Sequence, residues 1–188
     1  MGLDMNLSKK LFIKNYSYEG ADQSVATLTH KGVEIDCSDA TYIEFEVGYW
    51  RKANAIHNWF VENCQGGVDE CQITYVSLEE LQYLLDDCKK VMEVAQIDSG
   101  QPVQSGATYH GDGTVEHHIT TGRAILNGSE VAQILPSRSG FFFGSTDYDE
   151  WYIRDIERTI EILEKVIAED EEARENHIFY EYYYQSSW

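Results

Sequence analysis

No apolar run in this chain approaches the length of a membrane span. Basic residues are scarce: 14 Lys and Arg face 33 Asp and Glu, for a formal net charge of −19. Such a field repels phosphate, which argues against direct binding to nucleic acid or to an anionic membrane. The four cysteines, Cys37, Cys64, Cys71 and Cys88, never reach Cys-x-x-Cys spacing. A zinc ribbon and a dithiol redox site are therefore not expected, and the thiols read as buried, free and in a reducing compartment. There is no Gly-x-Ser-x-Gly elbow, no Gly-x-Gly-x-x-Gly, no phosphate-cradling Gly-x-x-x-x-Gly-Lys-Ser/Thr and no His-Glu-x-x-His. The first ten residues lack the charged-then-apolar order of a signal peptide. Gly2 opens like a myristoylation site, but Asn6 stands where Ser or Thr is needed. A soluble, cytoplasmic protein is the expectation.

What is present is a chain long enough for one domain, residues 1–188, with a sizeable core. Leu3, Met5 and Leu7 alternate with polar residues, as in a half-buried strand. Residues 15–23 read as a loop. Residues 23–30 and 33–36 suggest two short strands around Lys31-Gly32, and 41–47 another strand, broken by Gly48. A helix is predicted from about Trp50 to Asn63, with Ala53, Ile56, Phe60 and Cys64 inward and Gly66-Gly67 ending it. After a strand at 71–76, Ser77 and Glu80 form a capping box for a second helix, with Leu78, Leu81, Leu85, Cys88, Met92 and Ala95 as its stripe. The Gly- and Ser-rich stretch from Asp98 to Gly113 reads as a long loop, with a hairpin inside 114–125, so that 98–127 stands out as a loop or insertion. Asp147, three residues before Glu150, marks another helix start, and Ile153, Ile156, Ile160, Leu163 and Ile167 continue it. Residues 178–184 close a sheet, beside the first strand. The order predicts an α+β fold, a mainly antiparallel sheet with about three helices packed on it.

Two segments carry residues that a core alone does not require. Glu46–Phe60 (EVGYWRKANAIHNWF) crowds Tyr49, Trp50, Arg51, Lys52, Asn54, His57 and Asn58 together. Aromatic faces beside a guanidinium and amides suit a planar, polar, anionic small molecule. Arg51 and Lys52 would meet the charge, Tyr49 or Trp50 would stack, and Asn54, His57 and Asn58 would give directional hydrogen bonds. The competing reading makes Trp50 and Trp59 core anchors, His57 a structural histidine and Arg51 the partner of a local acid. Ser137–Trp151 (SRSGFFFGSTDYDEW) contributes Arg138 and Ser139, expected to close the site, while its phenylalanines read as strand residues with one face buried. His110, Asp112, His117 and His118 are chemically able to hold a metal, but their Gly-rich setting and spacing make no metal site the expectation. No cofactor is expected.

Glu46–Phe60, Gly140–Trp151 (GFFFGSTDYDEW), the first seven residues (MGLDMNL) and the tail Tyr184–Trp188 (YQSSW) together resemble a family of small, uncharacterised bacteriophage proteins. The resemblance covers most of the chain outside 98–127. Members sometimes carry the label phosphoglycerate kinase, whose size and nucleotide loops this chain lacks. A phage setting implies the host cytoplasm and an accessory role such as counter-defence.

The function expected from residues and setting is the binding, without turnover, of a nucleotide-like small molecule, with sequestration of a host immune signal as its use. Pockets of this kind are often completed across a subunit interface, which leaves a homo-oligomer open. One alternative is an acidic protein–protein inhibitor or DNA mimic, whose charge is densest at Glu169–Glu172. Another is an enzyme that degrades a signalling nucleotide, with His57 as general acid or base.

Overall fold

The computed structural model describes residues 2–18, 23–140 and 142–188. Met1, Glu19–Asp22 and Phe141, on which parts of the first-strand, loop and phenylalanine expectations fall, lie outside them. The chain forms one α+β domain. Strands β1 (Asp4–Phe12), β4 (Tyr42–Arg51), β5 (Thr74–Val76) and β8 (Tyr180–Ser187) make an antiparallel sheet in the order β4-β1-β8-β5. Strands β2 (Leu28–His30) and β3 (Val33–Ile35) pair as a small hairpin. Helices α1 (Asn54–Cys64), α2 (Leu78–Val94) and α4 (Glu150–Glu175) pack on the sheet, and α3 (Gly128–Val131) is a single turn. No helix among the described residues is long and apolar enough to cross a membrane.

The pleat of β1 sends Met5 and Leu7 into the core with the adjoining Leu3, while Asp4, Asn6 and Ser8 face the other way. The same alternation puts Tyr182, Tyr184 and Ser186 of β8 inward. Above them lie Ile56 and Phe60 of α1, Leu81, Leu84 and Cys88 of α2, and Ile153, Ile156 and Leu163 of α4. Phe60 and Tyr184 stack with ring centroids 3.9 Å apart. The capping box expected at α2 is present: the Glu80 backbone N–H donates to Ser77 Oγ at 3.1 Å, and the Ser77 N–H donates to Glu80 Oε2 at 2.7 Å.

Five local expectations are corrected. Gly48 does not break its strand. Strand β4 runs through it to Arg51, with Val47 as the extra residue of a bulge opposite Leu7 and Ser8 of β1. Glycine is needed because the Trp50 ring folds over this position: a Cβ on Gly48 would lie 2.9 Å from Trp50 Cη2 and 3.0 Å from Ile162 Cγ2. Helix α1 therefore starts at Asn54, not Trp50. The stretch expected as a loop is a long two-stranded ribbon, β6 (Ile97–Tyr109) paired with β7 (Val115–Ile125), because the polar and small residues still alternate in a ladder that the turn at Gly111–Gly113 closes. Helix α4 is capped by Asp149, which accepts the Trp151 N–H at 2.9 Å, rather than by Asp147. Phe142 and Phe143 lie in no strand: Phe142 has a left-handed φ of 64°, and Phe143 is buried.

Gly48→Ala should destabilise the fold by about 1–3 kcal/mol, the usual scale for overpacking a filled site. A lowered urea midpoint with unchanged slope would show it; an unchanged midpoint would mean that the Trp50 ring has room to move.

Candidate functional site

Two polar assemblies lie on opposite sides of the sheet. The first surrounds the start of α1. Asn54 is buried, and its whole side chain is spent on the second sequence segment. Its amide donates to Phe143 O at 3.2 Å and Ser145 O at 2.7 Å, and its Oδ1 accepts the Arg138 backbone N–H at 3.1 Å. One turn on, His57 is fully buried. The Asp69 carboxylate can only accept, so Nε2 carries the proton and donates to Asp69 Oδ2 at 3.0 Å; Nδ1 then accepts the Tyr184 hydroxyl at 2.8 Å. Burial holds the His57 pKa below its ordinary value despite the opposing pull of Asp69. The Trp188 indole N–H donates to the other oxygen of Asp69 at 3.1 Å, and its ring meets Phe143 edge-on at 5.9 Å. The Arg138 guanidinium lies 3.4 Å from Asn58 Oδ1, 3.8 Å from Glu62 and 3.9 Å from Asp69.

This assembly joins the two segments that the sequence singled out, but it is a clasp. Asn54 and His57 are buried with every side-chain polar atom already engaged inside the protein, which corrects the roles expected of them. Two acids within 4 Å of Arg138 already oppose its charge. Ser139 is exposed on the loop. Trp50 is corrected too: it is 1 % exposed, and its indole N–H donates to Thr159 Oγ1 at 2.9 Å, so it is a core anchor that cannot stack on a ligand. Asp69, Phe143, Tyr184 and Trp188 were not singled out, because nothing local in sequence links them to His57. Cys64, beside this region, is pushed up to about 12 by burial and Glu80, so it is a thiol and not a nucleophilic thiolate.

The second assembly is the open face of the sheet, opposite the helices. Strand register lays it out in rows. Arg51 of β4, Asp4 of β1 and Ser187 of β8 form one row; Tyr49, Asn6 and Gln185 the next; then Glu46, Ser8 and Tyr183, and then Glu44, Lys10 and Glu181. A hollow of about 250 Å³ lies on this face, lined by Asn6, Ser8, Glu44, Glu46, Ile73, Tyr183 and Gln185. Tyr75 extends the aromatic wall, meeting Tyr183 edge-on at 5.9 Å. Lys10 Nζ sits 4.5 Å from the Tyr183 centroid and 4.8 Å from that of Tyr42. At the end of the face, Asp4 accepts the Tyr49 hydroxyl and lies 3.9 Å from Arg51 Nε. Lys52, exposed and with a left-handed φ of 62°, follows at the sheet's corner beside Gly144. Tyr49, Arg51 and Lys52 thus remain accessible, away from Asn58 and Arg138.

The histidines of the ribbon do not converge. His117 and His118 are neighbours on β7 and point to opposite faces, with His118 Nε2 2.7 Å from Thr108 Oγ1. Among the described residues there is no cluster of three or more His, Cys, Asp or Glu able to hold a metal. No protein-family model matches the chain, and no curated protein or solved structure matches it either.

The buried, neutral His57 sets a pH dependence. Its folded pKa lies below the unfolded value of 6.5, so the unfolded chain binds the proton first, and stability falls as pH drops through about 6.5 toward the folded value. Chemical denaturation at pH 7.5 and at successively lower pH should show that loss in the wild type and less of it in His57→Gln. Equal slopes in the two proteins would assign the loss to other groups.

Proposed function

We propose that the protein binds a nucleotide-like small molecule without turning it over, on the open face of its sheet, and that sequestration of such a molecule is its use. The observation that carries this reading is the hollow in which Asn6 and Gln185 face each other across β1 and β8, with Glu44, Glu46 and Ser8 beside them. Asn6 offers a donor and an acceptor to the edge of a base, Gln185 offers its oxygen and the amide proton not given to Cys71 O at 3.2 Å, and the carboxylates accept from sugar hydroxyls. Ile73 and Tyr183 supply an apolar wall. The face carries Asp4, Glu44, Glu46 and Glu181 against Lys10 and Arg51, which favours the base-and-sugar part of a ligand over a polyphosphate. Arg51, two rows from the centre of the hollow, is the place for a single phosphate.

Binding is favoured over degradation because His57, the acid–base group that the enzymatic reading needs, is sealed beneath the opposite face. The DNA-mimic reading loses part of its charge to structure. Asp170 is fully buried and accepts from Tyr182 at 3.0 Å and from Arg174, and Glu169 accepts from Lys9 at 2.8 Å. The resemblance to small, uncharacterised bacteriophage proteins accords with a sequestering role.

Titration of the protein with nucleosides, nucleoside monophosphates and cyclic dinucleotides, followed by NMR and calorimetry, tests this. A ligand should perturb the amides of β1 and β8. Asn6→Ala with Gln185→Ala should weaken it about tenfold or more, the scale of two lost hydrogen bonds. Arg51→Ala should weaken only phosphate-bearing members, and the recovered ligand should be unaltered by mass. Failure of the whole panel to bind, binding indifferent to the double variant, or a chemically changed ligand would each sink the proposal.

A further inference from the structure

Strand register puts Asp4, Glu44, Glu46 and Glu181 on the open sheet face, and all but one of these carboxylates are engaged within the protein. Asp4 accepts the Tyr49 hydroxyl and lies 3.9 Å from Arg51 Nε. Glu44 Oε2 lies 3.9 Å from Lys10 Nζ, and Glu181 accepts the Tyr183 hydroxyl at 2.9 Å. Glu46 differs: it lines the hollow, and among the described residues it makes no hydrogen bond or ion pair. It belongs to β4, the outer strand, and stands opposite Ser8 of β1. The far side of the hollow has another chemistry. Tyr183 of β8, in the same row as Glu46, is two strand spacings away, about 10 Å, and forms the apolar wall with Ile73. In the neighbouring row, Asn6 of β1 and Gln185 of β8 carry the amides.

We propose that Glu46 reads the sugar. Its two oxygens accept the 2′- and 3′-hydroxyls of a free vicinal diol, so the ligand class is ribonucleosides substituted at the 5′ position, not deoxyribonucleosides or cyclic dinucleotides. The inference rests on the reading of this face as a nucleotide site. A carboxylate accepts hydrogen bonds and donates none, so Glu46 takes its donors from the ligand. Two neighbouring hydroxyls on one side of a sugar ring match its two oxygens, and each bond is charge-assisted. The base belongs on the far side of the hollow, where its ring meets Tyr183 and Ile73 and its edge meets Asn6 and Gln185. Phosphate is repelled from Glu46 itself, the more so because Glu44 lies two residues away on the same strand. Arg51, at the other end of β4, is where a 5′-phosphate is received. Base, sugar and phosphate then run in their covalent order, from the β8 side across β1 and along β4. A 2′-deoxy ligand leaves one Glu46 oxygen to water. An ester on either hydroxyl, as in a cyclic dinucleotide, removes a donor and sets a phosphate against the carboxylate.

Calorimetric titration of the full chain tests this with ribonucleoside 5′-monophosphates of each base, their 2′-deoxy counterparts and cyclic dinucleotides. A ribonucleotide that binds should do so about tenfold or more tightly than its 2′-deoxy counterpart, the scale of one hydrogen bond to a charged acceptor. Cyclic dinucleotides should not bind. Glu46→Ala should bring the ribo and deoxy forms to equal affinity, with the circular dichroism of the protein unchanged. The comparison of two ligands on one variant separates loss of sugar reading from general damage to the site, which would weaken both alike. Wild-type protein that binds ribo and deoxy forms equally overturns the inference and leaves the open-face reading standing. A ribo preference that survives Glu46→Ala, or a cyclic dinucleotide that competes with the monophosphates, does the same. A series in which nothing binds overturns the inference together with the reading it rests on.

Discussion

A side chain on a pleated strand has only two directions, and the sheet of this protein covers only one of them. Helices α1, α2 and α4 bury the side of β1, β4 and β8 that carries Leu3, Met5, Leu7, Trp50, Tyr182 and Tyr184. Asp4, Asn6, Ser8, Tyr49, Arg51, Tyr183 and Gln185, which alternate with them, are turned to the other side. Tyr49 and Arg51 are outward because Trp50 is inward. Asn6 and Ser8 line the hollow because Met5 and Leu7 fill the core. Gly48 belongs to the same constraint, since a residue without a Cβ leaves room for the inward Trp50 ring beside it.

The second organising feature is how the acidic residues are used. Several are internal parts of the fold. Asp170 anchors Tyr182 and Arg174, Asp69 anchors His57 and Trp188, and Glu150 with Glu157 holds Arg123 at the ribbon's root. Arg123 pulls the carboxyl of Glu150 down to about 2. Glu44, Glu46 and Glu181 line the open sheet face, while the ribbon from Gly100 to Gly122 holds only Asp112 and Glu116 as acids and no Lys or Arg. Net charge alone describes a repulsive surface; its distribution divides the molecule into a clasp, a ligand-sized face and an arm.

The joining of two distant segments shows how far sequence reasoning reaches. Their composition marked Asn54 and Arg138 as unusual for a core, and the fold does bring them within 3.1 Å. Composition did not tell whether the polar atoms face a ligand or each other. An amide with three backbone partners has the same one-letter code as an amide waiting for a base. The missed residues have the same cause: Asp69, Tyr184 and Trp188 are 12, 127 and 131 positions from His57, and only chain folding makes them neighbours. The ribbon was misread for another reason. Glycine, proline and aspartate are weak strand formers alone, and pairing with a second strand, which is non-local, overrides that weakness.

The sequence by itself determined the α+β class, the capping box of α2 and the apolar stripes of α2 and α4, because these depend on periodicities of two and 3.6 residues and on contacts within a few positions. Tertiary structure decided where the strand at Trp50 ends, which face of the sheet stays bare, that His57 is sealed between Tyr184 and Asp69, and that 97–125 projects as a two-stranded ribbon. Those outcomes depend on which surfaces are left to bury once the helices have chosen a side, and no local window of residues contains that competition.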